Sequence, residues 1–416
     1  MSLTHRIYLA AIATSFLPFS FATGFGYVSP VDALLGVLFL FALAKTLKDG
    51  CLPSADFSIV VASLAVFALI FIIQYRSGAI GDVNIIVKYF LFLVIIPLVV
   101  NVFRMDANSG QLKNAVPKIV SYSGASLACA VLIQYLRGQY VADSGSYYIV
   151  FFGQYAHKNG LASILIYGVL ASIWCYVDQK KKIFAILGLM QFLVIVFIGA
   201  RSATLVGIVL APMLFMFSKG LSVSKIIRNI FIIIIAATLV YGVLLSGLFG
   251  DQLARFSELS DTNTDDVTAS TSRILLWQFA IDKISGSLWF GNGFGTFSYV
   301  GEGWLDGMYE PHNNILQITY AGGAVVLMMF MFMIGRGLKR LWISKIGRVY
   351  FFILLSYLVN TMVGIIWTRG DGHLFWLLFF GSILFLKSKH RSNILNIGDN
   401  TIACLLYTSP SPRDRG

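Results

Sequence analysis

Three residues of this sequence combine a reactive or charged side chain with a position at the edge of an apolar segment. Arg201 stands between two apolar runs, at a tight turn with almost no other polar residue nearby. Arg273 starts a short amphipathic segment, and His312 directly precedes another apolar run. Arginine stays charged in proteins, and histidine titrates near neutral pH. Together they predict a positively lined cavity with one group that exchanges a proton near neutrality.

Each of the three also has a simpler interpretation. Arg201 could extend its charged head to water while its aliphatic stem stays among apolar groups. Arg273 could be an ordinary surface charge. An isolated histidine at a membrane interface, such as His312, is more often structural than catalytic. Taken singly, these residues leave the alternatives open.

The composition indicates a membrane protein. The chain has 416 residues, of which 57% are hydrophobic and 12% are charged, and its mean hydropathy is +0.80. Soluble proteins usually have about 25% charged residues. Because a helix needs roughly 20 mostly apolar residues to cross a bilayer, the sequence predicts an all-α integral membrane protein with about twelve transmembrane helices. The apolar runs lie near residues 7–25, 30–46, 57–75, 84–103, 117–136, 161–177, 183–200, 203–218, 229–249, 314–335, 349–367 and 373–388.

The placement of the positive charges predicts the orientation of these helices. The net charge of +12 would by itself also fit a protein that binds nucleic acid. Most Lys and Arg residues, however, lie in alternate connections, with a dense cluster at 336–348. Cytoplasmic loops of membrane proteins carry such an excess. The pattern predicts that both termini are cytoplasmic and that the charge does not serve nucleic-acid binding.

One long polar loop, residues 250–313, separates predicted helices 9 and 10 and lies outside by the same charge rule. Polar groups and irregular backbone persist in a membrane protein only where water or protein satisfies them, so any chemistry is expected in this loop. Ser272 is a candidate N-cap for a short amphipathic helix over 273–281. Glycines at 291, 293 and 295 predict turns.

No metal or cofactor site is predicted. The acidic stretch at 261–266 begins like a calcium-binding loop, but Asp266 stands where that loop needs glycine, and Ser272 stands where it needs a bidentate glutamate. Asp32, inside the second apolar run, is costly in hydrocarbon and is therefore predicted to be paired inside the helix bundle.

A single polytopic membrane domain is predicted over residues 1–403. The segment that follows, residues 404–416, contains a stretch that translation of a common sequencing adapter can produce. We expect it to be a non-native tail, and no function is assigned to it.

Four short motifs occur in a fixed order along the chain: Gly199-Ala200-Arg201, Arg273 with Trp277, the glycine turn at 291–295, and Pro311-His312-Asn313-Asn314. Their order and spacing resemble those of the O-antigen ligase and O-antigen polymerase superfamily of bacterial envelope proteins. The resemblance covers most of the chain. Members of that superfamily are multi-helix glycosyltransferases that depend on a lipid carrier.

The resemblance implies a donor glycan linked to undecaprenyl diphosphate and an acceptor such as lipid A–core. It implies that Arg201 and Arg273 bind the diphosphate and that His312 is the catalytic base. A diphosphate neutralised by arginines needs no metal ion or cofactor. Supporting roles are expected for Trp277, Asn313, Lys158 and His157.

Two classes of function remain open. The first is a transferase at the periplasmic face of the bacterial inner membrane, either a ligase that acts on lipid A–core or a polymerase that extends carrier-linked repeats. The second is a transporter or flippase without catalysis. Transporters usually hold their polar groups near the bilayer midplane. Here the polar residues collect at the outer face, which favours the enzyme.

Overall fold

The computed structural model of the chain is a helical bundle with two small antiparallel sheets. The structure describes residues 2–18, 21–23, 26–49, 57–77, 83–103, 109–143, 146–151, 154–219, 269–298, 311–362 and 370–386.

The described helices follow one another with short connections in most of the chain. A π-helical turn over Leu91–Ile95 joins α4 to α5. The helices are α1 (Leu3–Thr14), α2 (Pro30–Asp49), α3 (Phe57–Ser77), α4 (Val83–Phe90), α5 (Ile96–Phe103), α6 (Ser109–Leu136), α7 (Lys158–Gln179), α8 (Lys182–Phe197), α9 (Arg201–Lys219), α10 (Ala269–Ser285), α11 (Asn314–Ile343), α12 (Lys345–Asn360) and α13 (Gly370–Leu386).

The strands form a hairpin and a three-stranded meander, neither of which the sequence predicted. Strand β1 (Phe21–Thr23) pairs with β2 (Gly26–Val28). In the meander, β3 (Tyr140–Asp143) pairs with β4 (Ser146–Phe151), which pairs with β5 (Gln154–His157). The last strand leads directly into α7, so the sheet fixes where that helix begins.

Seven helical segments of the described chain are long and apolar enough to cross a membrane. Two shorter apolar segments, Lys182–Phe197 and Gly372–Ile383, accompany them. The protein is therefore a multi-pass membrane protein. The spanning segments are Pro30–Lys48, Val60–Ser77, Ile85–Phe103, Asn114–Leu136, Lys158–Gln179, Arg201–Ser218 and Asn314–Ile343.

Where the structure describes them, the predicted apolar runs from residue 30 onward fall mainly on helices. The run at 349–367 is described only to residue 362, and α12 ends at Asn360. The run at 229–249 lies outside the described residues, as do the loop segments 251–268 and 299–310. The helical membrane architecture is confirmed. The number of spans, the extent of the single domain and the side on which the loop lies stay predictions.

The prediction of one helix over 7–25 is wrong in its second half. Helix α1 ends at Thr14, and the segment after it forms the β1–β2 hairpin. Pro18 cannot continue a helix because it lacks a backbone N–H and its ring clashes with the preceding turn. Aromatic and small residues follow it and suit a short hairpin. High hydropathy alone does not distinguish these two outcomes.

Helix α7 is buried on nearly all sides and holds the bundle together. It packs against α6, α8, α9 and α12, and its side chains from Leu161 to Ala171 are buried without interruption. A helix that is apolar all round belongs in the interior. The polar residues at its start are consequently held at a fixed place at one end of the bundle.

Candidate active site

Arg201 and Arg273 lie close enough for their charges to interact. Arg201 is the first residue of α9, after a turn in which Gly199 has φ +68° and Ala200 is fully buried. Arg273 lies one turn into α10. Burial lowers the pKa of the Arg273 guanidinium below its usual value, and the positive charge of Arg201 lowers it further.

This arrangement favours binding of a multiply charged anion. Two partly buried guanidinium groups repel each other, and an anion between them would remove that repulsion while accepting hydrogen bonds from both. The start of α9 adds the partial positive charge of a helix N-terminus beside Arg201. The two predicted arginines are thus near each other, while their role in binding a diphosphate stays a prediction.

Trp277 connects this arginine pair to the end of the long loop. It lies four residues after Arg273, on the same face of α10. Its Nε1 donates a hydrogen bond to the main-chain oxygen of Pro311, at 2.9 Å. The indole also packs against the hydrophobic core. The bond places the residue before His312 beside the helix that carries Arg273.

His312 has a left-handed backbone conformation, with φ +51°. This region is uncommon for residues other than glycine, although histidine, aspartate and asparagine enter it more readily than most. The flanking residues fix the conformation from both sides. Pro311 accepts the bond from Trp277, and Asn313 caps α11 by accepting from the N–H groups of Ile315 and Leu316 at 3.0 and 3.1 Å. Backbone strain of this kind clusters at functional sites.

A chain of hydrogen bonds leads from the start of α11 to the start of α7. The backbone N–H of Asn314 donates to the oxygen of Thr361 at 3.3 Å. Beside it, the side chain of Asn360 donates to Ser163. The Ser163 hydroxyl in turn donates to the oxygen of Asn159 at 2.8 Å. The ends of α7, α11 and α12 therefore meet next to His312.

His157 and Lys158 stand at the far end of this chain. His157 is the N-cap of α7, and its Nδ1 accepts from the N–H of Asn159 at 3.2 Å. Its ring also contacts the ring of Tyr148, with 5.3 Å between centroids. Lys158 is the first residue of the helix. The cap gives His157 a structural role at the same end of the bundle, while a role in substrate contact stays a prediction for both residues.

The turn after α10 docks into a break in α11, a feature that the sequence analysis missed. Within α11, Gly323 has φ +70°, which interrupts the helical hydrogen bonds. The turn supplies the replacements: Asn292 and Gly293 donate to the oxygens of Tyr320 and Ala321 at 2.8 and 2.9 Å. In the opposite direction, the backbone N–H of Ala324 donates to the main-chain oxygen of Leu288 at 2.7 Å.

In this docking, the backbone of the turn after α10 lies in direct contact with the backbone of α11 at its break. A Cβ built on Gly323 would lie 2.3 Å from the carbonyl of Trp289, and one on Gly291 would lie 2.4 Å from the oxygen of Ala321. Only glycine fits at either position. The available signal was the Gly322-Gly323 pair inside an apolar run, together with the predicted glycine turn, whose three glycines all have positive φ.

The predicted helix after residue 272 is present, but its predicted cap is wrong. Helix α10 begins at Ala269, so Ser272 lies inside the helix instead of preceding it. Ser272 and Arg273 signalled a helix start because serine is favoured at N-caps. The true start lies in a polar stretch where residue type gave no distinct signal.

Asp32 is paired inside the bundle, as predicted. Its carboxylate accepts from Lys88 Nζ at 2.7 Å and lies 2.6 Å from His373 Nε2. The backbone N–H and the hydroxyl of Ser29 donate to it as well, each at 2.7 Å. These contacts tie the start of α2, the last turn of α4 and the start of α13 together, and they offset the cost of placing a carboxylate in a membrane protein.

Among the described residues, no group of three or more histidines, cysteines or carboxylates could hold a metal ion. The acidic stretch at 261–266 lies outside the described residues. Cys129 and Cys175 are free thiols.

The family model described as O-Antigen ligase matches residues 183–331. That segment runs from α8 into α11 and contains Arg201, Arg273, Trp277, His312 and Asn313. The predicted resemblance to the O-antigen ligase superfamily is confirmed.

Curated relatives agree with the O-antigen ligase match. A protein of Rickettsia felis, provisionally named a polysaccharide ligase, is 26% identical over 201 residues, which are 46% of this chain and 47% of that protein. A Rickettsia bellii protein of the same name is 28% identical over 198 residues, or 45% of this chain and 46% of the relative. The matched region thus spans about half the length of these relatives.

Proposed function

We propose that this protein is an O-antigen ligase that transfers a glycan from undecaprenyl diphosphate to lipid A–core at the periplasmic face of the bacterial inner membrane. The observation that carries the proposal is the convergence of Arg201 and Arg273, linked through Trp277 to the segment that contains His312. The ligase names of the relatives support it.

The arginine pair would bind the diphosphate of the donor. A diphosphate has several oxygens that accept hydrogen bonds, and guanidinium groups provide planar, multiply donating contacts to them. Its charge increases as the bond to the sugar breaks. Fixed donors in a partly buried site stabilise such developing charge without having to reorganise. Arg201 and Arg273 therefore assist departure of the leaving group as well as binding.

His312 would accept the proton of the attacking hydroxyl. The acceptor oxygen forms a bond to the anomeric carbon, and the bond from that carbon to the diphosphate oxygen breaks with its electron pair. The hydroxyl proton moves to the neutral imidazole of His312. The products are the glycosylated acceptor and undecaprenyl diphosphate, and a single displacement of this kind inverts the configuration at the anomeric carbon.

Transfer by the purified protein tests the proposal. The full chain in nanodiscs is incubated with an undecaprenyl-diphosphate-linked glycan and lipid A–core, in the presence of a chelator, and the products are separated on a gel. We expect a glycan ladder on lipid A–core. Lengthened carrier-linked glycan without any transfer to lipid A–core would instead identify a polymerase. Absence of any new glycosidic bond, with movement of the donor across the bilayer when the chain is placed in sealed proteoliposomes, would identify a transporter.

A deletion strain gives the same discrimination in cells. Loss of polymer on lipid A, with carrier-linked polymer retained, is the expected result for a ligase. Products that carry a single repeat on lipid A would contradict it, because they mean that attachment is intact and polymerisation has been lost.

A further inference from the structure

Three buried side-chain amides lie beside His312 with polar atoms that have no hydrogen-bond partner in the described structure. These atoms are Nδ2 of Asn314, Oε1 of Gln317 and Oδ1 of Asn360. The three residues are only 3%, 6% and 4% exposed. Buried polar groups are nearly always paired in folded proteins, so three such atoms on two adjoining helix ends require an explanation.

The three amides belong to one cluster, which we term the amide cluster. Asn314 and Gln317 are three residues apart in the first turn of α11 and therefore lie on the same face. The backbone of Asn314 is bonded to Thr361, the neighbour of Asn360 at the end of α12. All three thus stand at helix ends next to the residue that the proposed function makes the base.

The chemistry of the unpartnered atoms matches a sugar. Nδ2 of Asn314 is a hydrogen-bond donor, whereas Oε1 of Gln317 and Oδ1 of Asn360 are acceptors. A hydroxyl group both donates and accepts, and a pyranose carries several hydroxyls on neighbouring carbons. A diphosphate, which has no O–H to offer when ionised, would satisfy only the donor. The amide cluster is therefore suited to the glycan and not to the carrier.

We infer that Asn314, Gln317 and Asn360 recognise hydroxyl groups of the glycan next to His312, and so determine which sugar the site accepts. This inference rests on the proposed function, because it assigns the sugar of the same lipid-linked donor. It divides recognition into two parts, with the arginines binding the diphosphate and the amide cluster binding the sugar. An enzyme site built to bond a hydroxyl discriminates strongly against a ligand that lacks it.

If the arginines bind the diphosphate and the amide cluster binds the sugar, changes in the amide cluster should affect the binding of two related lipids differently. Binding to the full-length protein in nanodiscs is measured for bare undecaprenyl diphosphate and for undecaprenyl diphosphate that carries its glycan. We expect the wild-type protein to prefer the glycan-bearing lipid. Gln317→Met and Asn314→Leu, which keep similar side-chain volume, should each reduce this preference by roughly tenfold, the upper range for one hydrogen bond. The Kd for the bare carrier should not change.

A matched control is available on the same helix. Thr319 is also a buried polar residue of α11, but its hydroxyl already donates to the oxygen of Ile315 at 2.7 Å. Thr319→Val should leave the preference for the glycan-bearing lipid unchanged. Gln317→Met and Asn314→Leu are measured separately. If one of them misfolds, the other still tests the inference. Asn360 is not used, because its side chain also bonds Ser163.

The outcomes separate this inference from the proposed function. An unchanged preference in a folded Gln317→Met or Asn314→Leu protein would overturn the inference and leave donor binding intact. Equal weakening of both lipids in these variants would also overturn it, because it means that the amides only maintain the fold of the site. Failure of the wild-type protein to bind either lipid would overturn the proposed function, and the inference with it.

Discussion

The indole N–H of Trp277 and the main-chain oxygen of Pro311 form a hydrogen bond of 2.9 Å across 34 residues of sequence. The bond joins the helix that carries Arg273 to the residue that precedes His312. Groups that act on the two ends of one scissile bond must keep a fixed separation, since small displacements lower the rate steeply. Trp277 is placed to maintain that separation.

We expect Trp277→Phe to lower the transfer rate by roughly threefold to tenfold, the effect of losing one hydrogen bond while an aromatic ring is kept. Binding of the donor should change less, because the arginines remain. Initial rates and Kd measured on the same preparation test this expectation. Trp289→Phe is the control, because Trp289 is 59% exposed. Equal effects of both substitutions would argue against a positioning role for Trp277.

The arginine pair gives the second prediction. Arg201→Ala and Arg273→Ala should each weaken donor binding and lower transfer by roughly 10²-fold or more, as removal of one preorganised donor does elsewhere. Replacing either arginine by lysine should recover little of the lost donor binding and transfer, because an ammonium group cannot make the planar two-point contact of a guanidinium.

Arg76 provides a control for nonspecific loss of charge. It is an exposed cation at the end of α3, 5.5 Å from the ring centroid of Phe290, and has no part in the proposed site. Arg76→Ala should transfer at close to the wild-type rate. Comparable losses in Arg76→Ala and Arg273→Ala would mean that general surface charge, and not the pair, attracts the donor.

The candidate residues of the site could be found from sequence because cations and histidine are rare beside apolar runs. Arg201, Arg273 and His312 stood out by type and position, and the order of their motifs carried the family resemblance. Their mutual contacts were not predictable. The bond from Trp277 to Pro311 joins residues whose separation in space depends on how the whole loop folds.

Features that depend on backbone conformation or on long-range pairing escaped the sequence analysis. Gly323 could have been an ordinary small residue in a membrane helix, and its partner is a turn about thirty residues earlier. The hairpin after α1 could not be predicted from hydropathy, because strands and helices can be equally apolar. The amide cluster requires the ends of α11 and α12 to meet, which hydropathy does not reveal.

The break in α11 gives the third prediction. Gly323→Ala should destabilise the protein and reduce transfer, because a Cβ would collide with the carbonyl of Trp289 and the backbone has φ +70°. With ψ −179°, this backbone conformation costs a residue other than glycine about 1–3 kcal/mol in strain alone. Gly335→Ala, in the same helix and with no atom within 4 Å of its added Cβ, should be tolerated. Thermal unfolding in detergent compares the two, and equal melting temperatures would contradict the docking of the turn.

The fourth prediction concerns orientation in the membrane. Asp282 on α10 and Lys339 on α11 are both exposed, and the charge distribution predicts that the first faces the periplasm and the second the cytoplasm. In a chain without its native cysteines, Asp282→Cys should react with an impermeant thiol reagent in cells whose outer membrane alone is permeabilised. Lys339→Cys should react only after the inner membrane is opened. The reverse pattern would place the site in the cytoplasm and exclude a periplasmic acceptor.

The last prediction concerns His312, and the choice of substitution follows from its backbone. Alanine at φ +51° would add strain and could displace the loop end, whereas asparagine enters the left-handed region more readily. His312→Asn should therefore keep the fold and the Kd for the carrier while removing the proton acceptor. We expect its transfer rate to fall roughly 10²–10⁴-fold, the usual contribution of a general base.

The pH dependence distinguishes a base from a binding residue. The wild-type rate should fall on acidification, because a protonated imidazole cannot accept the proton of the attacking hydroxyl. The small residual rate of His312→Asn should not follow that fall. Initial rates across the acidic range, at saturating donor, test both statements. A variant that transfers at the wild-type rate would exclude His312 as the base, and loss of carrier binding in the variant would make it a substrate contact instead.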